Sequence, residues 1–327
     1  VTKSGTNEWH GSGFFLMRPE EFATRNEFEQ IASPTQKQYG GSIGGPIIKD
    51  KAFFFFALEG IRERLTRANL SEQAGTTPCP VAAPVITNAA HEALINTNAD
   101  CQRLALINFV SPVSGLDEGA PVSHPIRNYA LLGKVDVHPS SANQLAISYN
   151  ADFSKNTNQT FDVPTYGASA NGTEGPSKIH NFNVNFFTTV SATKLNEAHF
   201  SYTREERPRS ATPSSLFADT GAGGGFNPSE LSFRFGNPFF LQPAVDELLW
   251  RTHLKDNFSI ISGNHNVKFG GEWIHTVNTQ VFRGFFTGRY LFNTVSGFLR
   301  YASPAALGAG SPSGPRGPGS PGVELSN

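Results

Sequence analysis

Two cysteines, Cys79 and Cys101, are the most reactive side chains in the chain, and both fall in one long polar segment. Their spacing offers no CxxC pair for zinc. Within one loop of an exported protein they pair as a disulfide, while in a reducing compartment they stay as free thiols. Other candidates for chemistry are thinner. Glu20-Glu21 and Glu205-Glu206 are adjacent carboxylates, but alternation in a strand sends neighbours to opposite faces, which makes poor acid/base pairs. The nine histidines are scattered, and His180, His199 and His253 read as strand residues on polar faces. Residues 221–225 form a Gly-rich run with no Lys-Ser/Thr after it and no strand–helix context, so it reads as a flexible loop and not a phosphate cradle. No HExxH or GxSxG motif is present. No catalytic, cofactor-binding or metal-ligating set emerges, and the chain does not read as an enzyme. Sequons at Asn69, Asn158 and Asn171 fall in expected loops and are explained by chance.

Composition explains why chemistry is scarce. Charged residues make up 16% of the chain, against about 25% for a soluble globular domain. Mean hydropathy is nevertheless slightly negative. The difference is made up by Gly, Asn, Ser, Thr and aromatics, with 28 Phe. That mixture suits a wall with one apolar and one polar, mostly uncharged face. The net charge of −1 argues against a nucleic-acid partner. Arg62, Arg64 and Arg67 form the densest basic run, interrupted by Glu63, and read as a solvated strand end. No apolar stretch is long enough for a membrane-crossing helix, and no signal peptide opens the chain. The chain reads as part of something longer.

The elements that must position these residues are strands. Leu145, Ile147, Tyr149, Ala151 and Phe153 alternate with Gln144, Ser148, Asn150, Asp152 and Ser154. Before them, Tyr129, Leu131, Val135 and Val137 alternate with Asn128, Lys134, Asp136 and His138, across a short turn at 139–142. The pattern repeats with Phe182, Val184 and Phe186 against Ala198, Phe200 and Tyr202, joined near 191–193. It repeats again with Leu248, Trp250, Leu254, Phe258 and Ile260, then Val267, Phe269, Trp273 and Val277, joined near 263–265. An earlier, less regular hairpin turns at Lys49, Asp50 and Lys51. These strands run to roughly 11 to 16 residues, enough to cross a bilayer, which needs about 9 to 11. Short turns alternate with long polar connections near 66–125, 155–176 and 208–243, as in outer-membrane barrels with short periplasmic turns and long extracellular loops. Tyr129, Phe153, Tyr202, Trp250 and Trp273 are expected at the membrane interfaces. One loop-borne helix is expected near 89–108, with a weak stripe of His91, Leu94, Ile95 and Leu104. Residues 303–327 are Gly/Pro/Ser-rich and read as a loop or disordered tail.

The junction motif Val1-Thr2-Lys3-Ser4-Gly5-Thr6-Asn7, continuing to Ser12, resembles the passage from plug to barrel in TonB-dependent receptors. Residues 38–56 (QYGGSIGGPIIKDKAFFFF), running on to Glu59 and Gly60, are similar to the first full hairpin of the Oar-like subfamily, and 264–272 (NHNVKFGGE) to a later one. The resemblance implies an all-β, antiparallel transmembrane barrel of about 22 strands with a plugged lumen. It implies residues 1–7 as the end of a plug or linker, 8–302 as a partial barrel and 303–327 as the tail. With about ten strands of alternation, the chain is expected as an open half-wall. The implied activity is energised uptake of a large or scarce substrate. The implied partners are outer-membrane lipid, the TonB complex through N-terminal parts beyond this chain, and a substrate at the extracellular loops. A surface adhesion or binding protein without transport, and a soluble secreted β-rich glycan-binding protein, remain as alternatives.

Overall fold

The computed structural model describes residues 3–19, 35–67, 78–82, 86, 89–159, 167–211, 219–222, 233–238, 246–281, 288–302 and 323–325. Val1, Thr2, most of the tail, the Asn69 sequon and residues 223–225 of the Gly-rich run lie outside them. Period-two segments become long strands: β1 (His10–Arg18), β2 (Thr35–Ile48), β3 (Ala52–Arg67), β4 (Val122–Ser140), β5 (Asn143–Gln159), β6 (Gly172–Ser191) and β7 (Lys194–Glu206). Three short strands follow, β8 (Arg209–Ala211), β9 (Asp219–Ala222) and β10 (Phe233–Phe235). The wall then resumes with β11 (Glu247–Ser262) and β12 (His265–Gln280), and β13 (Arg289–Phe292) and β14 (Val323–Leu325) complete the strands. Among the described residues the main sheet is ten-stranded and antiparallel, in the order β1-β2-β3-β4-β5-β6-β7-β11-β12, with β8 on β6. The sheet is open, with β1 and β12 at its edges.

Strands overrun the expected loop boundaries. β4 starts at Val122 and β5 ends at Gln159, so Asn158 lies in a strand and the connections are shorter than 66–125 and 155–176. β6 reaches 20 residues, beyond the expected upper length. Sequence alternation alone missed these extensions because their outer ends carry polar residues on both faces. The short turns are tight: Asp50 and Gly263 adopt left-handed φ of 64° and 57°, a conformation that Asp and Gly tolerate best. Register shifts at Pro46/Ile48, Val137/Ser140 and Thr189/Ser191 sit beside these turns, where bulges add twist.

β2 and β3 carry glycines that would weaken an ordinary strand. One has a steric reason: Tyr39 pairs with Gly60 across the β2–β3 ladder, and a Cβ at Gly60 would lie 2.7 Å from the Tyr39 ring. The ring lies over bare backbone, an aromatic cover that pins register.

The main wall buries little. Ala52, Ala146 and Ala151 are its buried apolar residues, whereas Phe15, Phe56, Leu58, Leu254, Phe269 and Trp273 are each more than two-fifths exposed. A wall that leaves such residues open needs an apolar solvent on that side. The compact core lies in the loops instead. The expected single helix is two, α1 (Ala89–Thr97) and α2 (Ala99–Ser114). Asn98 breaks them: it is extended, and its side chain accepts from the Cys101 N–H at 2.9 Å, capping α2. The buried stripe therefore falls on Ile95, Cys101, Ala105, Leu106 and Val110 and not on His91 or Leu104. A third helix, α3 (Val295–Ala302), packs Val295, Phe298 and Leu299 into the same cluster. Phe233 and Phe235 join it from β10, and Phe292 from β13. β9, β10, β13 and β14 form a second small sheet, with β9 and β13 parallel.

Candidate functional site

The cross-strand register sorts every strand residue onto one of two faces. Opposite Asn150 lies Asn181, then Thr203, then Arg251, then Thr276. That face also carries Ser148, Asn183, Ser201 and His253 in one row. The opposite face carries Tyr149, Phe182, Tyr202 and Thr252 in the adjacent row, with Phe200, Leu254 and Trp273 in the next. Polar side chains on the first face pair with one another. Asn183 donates to Asn181 (2.6 Å), Asn128 to Asp152 (3.0 Å) and Lys268 to Glu197 (2.5 Å), and His199 bonds Asn185 (2.7 Å). This is a polar lining with charges of both signs, and His199 and His253 belong to it. His180 does not. It stands opposite Ala151 and Arg204 on the apolar face, bonds the Tyr149 hydroxyl at 2.7 Å and lies edge-on to Phe153. The position shares the parity of Phe182, which is the signal that placed it.

The chain's first described residues run along the polar face. Lys134 donates to the Ser4 hydroxyl at 2.7 Å and pairs with Asp136 at 3.2 Å. Gly5 lies against the carbonyls of Gly45 and Phe54, where any side chain would collide. Asn7 then clamps the first short turn: its amide donates to the Asp50 carboxylate (2.6 Å), and its carbonyl accepts from the Asp50 N–H (2.8 Å). Two sequence-expected features, the junction motif and the turn at Lys49, Asp50 and Lys51, thus meet in space.

Tyr129, Phe153, Tyr202, Trp250 and Trp273 all project from the apolar face, in the half of each strand nearer the long loops. Trp250 and Trp273 flank His275, with centroids 5.0 and 5.7 Å away. Cys79 and Cys101 are bonded, with Cα atoms 4.9 Å apart, at the edge of the loop core.

Sequence reasoning missed how far the long connections interlock. Glu118, beyond α2, accepts from the Ser169 N–H at 3.0 Å, and the Ser169 hydroxyl accepts from Gly236 N–H at 2.9 Å. Asp219 is fully buried and takes two bonds from Arg234, at 2.7 and 3.0 Å, with Arg289 at 3.4 Å. Ser296 of α3 donates to Asn96 of α1. The i, i+3, i+4 spacing of Val295, Phe298 and Leu299 was the available signal for α3. Among the described residues no three His, Cys, Asp or Glu side chains gather as a metal site.

Comparison with known proteins agrees with this architecture. A stretch of this chain is 40% identical over 78 residues to the TonB-dependent transporter Oar of Myxococcus xanthus, covering 20% of this chain and 7% of that protein. The outer membrane transporter YddB from Escherichia coli superposes with a TM-score of 0.51 at 12% identity, over 88% of this chain and 33% of that one. The siderophore receptor PirA from Acinetobacter baumannii aligns with a TM-score of 0.44 at 13% identity, over 84% of this chain and 31% of that one. The chain thus spans about a third of the solved structures and a small part of the curated relative. The outer membrane beta barrel domain family matches residues 1–314. Exposed aromatics become lipid-facing residues, the short turns periplasmic and the long connections extracellular, and the soluble secreted alternative falls away. The chain belongs to the outer membrane beta barrel domain family and forms an open segment of a barrel wall in the bacterial outer membrane.

Proposed function

We propose that this wall is the N-terminal part of the barrel of an Oar-like TonB-dependent transporter, which takes up a large or scarce substrate with energy delivered by the TonB complex. The observation that carries this reading is the path of residues 3–7. They run on the polar, lumen side, held by Lys134 at Ser4 and by Asn7 at Asp50. A chain entering along the inner wall at the periplasmic rim is placed to follow a domain lodged inside the barrel. The likeness to the Oar transporter over 78 residues supports the subfamily. In this reading residues 1–7 end the plug or linker, and TonB is met through parts preceding them. The polar lining faces the plug, the interlocked loops carry the substrate surface, and Tyr129, Phe153, Tyr202, Trp250 and Trp273 sit near the outer interface.

The loop core favours a second reading, in which the extracellular cap binds a surface partner and no transport occurs. The coding DNA upstream of Val1 separates the two. A plug-sized domain joined directly to residues 1–7 supports transport. A leader peptide placed immediately before them would overturn it and leave the adhesion reading.

A further inference from the structure

The register assembles a feature that no single strand displays. Lys37 pairs with Arg62, Arg62 with Arg127, and Arg127 with Lys155. These cations form one continuous row across β2, β3, β4 and β5, and all are exposed. They share the apolar, lipid-facing side: the neighbouring row, one pleat nearer the membrane centre, is Tyr39, Gly60, Tyr129 and Phe153. The acids beside Arg62 in sequence do not help. Glu59 points to the lumen, where it accepts from Gln38 at 2.6 Å, and Glu63 has the same parity.

Like charges directly opposite on one face of a sheet repel. Two cations further along the same face are neutralised. On β6 and β7, Lys178 and Arg204 share Glu206, at 3.9 and 2.6 Å. The Lys37–Arg62–Arg127–Lys155 row has no such acid within ion-pair distance among the described residues. Arg62 donates to the Tyr129 hydroxyl (2.7 Å), lies 6.0 Å from its ring centre and also has the Tyr39 hydroxyl as a side-chain partner, which steadies the guanidinium without neutralising its charge.

Height places the row. Lys37 and Arg62 stand roughly 11 to 12 residues from the Lys49–Lys51 turn, about 36–40 Å along strands that rise ~3.3 Å per residue. A tilt of about 40° reduces this to roughly 28–31 Å, just above an apolar band about 25 Å tall. The aromatic row falls at the border of that band and the cations immediately outside it, level with lipid headgroups.

We propose that Lys37, Arg62, Arg127 and Lys155 form a binding site for the phosphate groups of outer-leaflet lipid, on the outer surface of the barrel. Tyr39, Tyr129 and Phe153 would pack against the base of the lipid's headgroup region. The site does not depend on whether the barrel transports.

The test uses the full-length protein that contains this segment, purified in detergent, with folding verified by retarded migration of the heated sample relative to the unheated one. Mixed micelles carry either bis-phosphorylated lipid A or the same lipid with its phosphates removed, and bound lipid is counted by native mass spectrometry. The wild type should retain the phosphorylated lipid at least tenfold more than the dephosphorylated one, and lose that preference in high salt. R62Q/R127Q should weaken retention by about 25-fold, at roughly fivefold per cation. R251Q/K255Q, on the lumen face, should leave it unchanged. Equal retention of both lipids by the wild type overturns the proposal, and this includes the case where acidic residues elsewhere in the chain cover the row. Undiminished preference in folded R62Q/R127Q also overturns it. Inorganic phosphate alone forms a third arm, and binding of free phosphate as tightly as the lipid overturns the assignment to lipid.

Discussion

Breaking the Cys79–Cys101 bond should loosen the extracellular cap and leave the barrel wall intact. The bond closes a loop with a sequence separation of 22. In the chain-entropy description such a loop is worth about 11 cal/mol/K, or about 3.4 kcal/mol at 25 °C. That corresponds to roughly a 300-fold change in the opening equilibrium of the segment it ties down. Cys101 is fully buried beside Leu106 and Val110, so its loss also thins the core that unites α1, α2 and α3. The perturbation is C79A/C101A in the full-length protein, together with reduction of the wild type. Native-state hydrogen exchange reads the result. Amides of α2 from Ala105 to Val110 should lose two to three decades of protection. Amides in β5, held by ladders to β4 and β6, should not change. Unaltered protection in α2 would refute the claim that the bond supports the cap. Equal loss in α2 and β5 would refute the separation of cap from wall.

Adjacent residues on opposite faces give a direct test of the wall. Phe258 lies about five residues from the Gly263 turn, roughly 13 Å up the tilted strand and near mid-bilayer. F258K should cost about 2–4 kcal/mol in a denaturant titration of the folded barrel, while S259K, on the lumen face, should cost under about 1; equal costs would contradict the face assignment. D219N keeps the shape of a fully buried carboxylate but removes the negative charge that Arg234 and Arg289 face there. It should destabilise the cap by about 3–5 kcal/mol and open the loops to a protease added outside intact cells; wild-type resistance would show the pair to be dispensable. G60A should force the Tyr39 ring off the strand, at a cost of about 1–3 kcal/mol in the same titration. G133A, where a methyl meets nothing within 4 Å, is the control, and equal effects would refute the aromatic cover.

The sequence by itself determined the strands, their two faces and the short turns. These depend on period-two alternation and on local chain reversal, as in Leu145 to Phe153 or at Gly263, and such signals are carried by neighbouring residues. Parity even contained the true face of His180, two residues from Phe182. It also brought the junction motif and the first turn into view, although not the Asn7–Asp50 clamp between them. What only the tertiary structure decided depends on residues far apart in sequence. Asn98 divides one expected helix because its side chain finds the Cys101 N–H. Asp219, Arg234 and Arg289 meet across two connections that carry no periodicity. The cationic row from Lys37 to Lys155 looks in sequence like scattered charge, with Arg62 reading as a solvated strand end. Register turns it into one surface, because hydrogen-bonded ladders bring residues from four strands into one row on the same face.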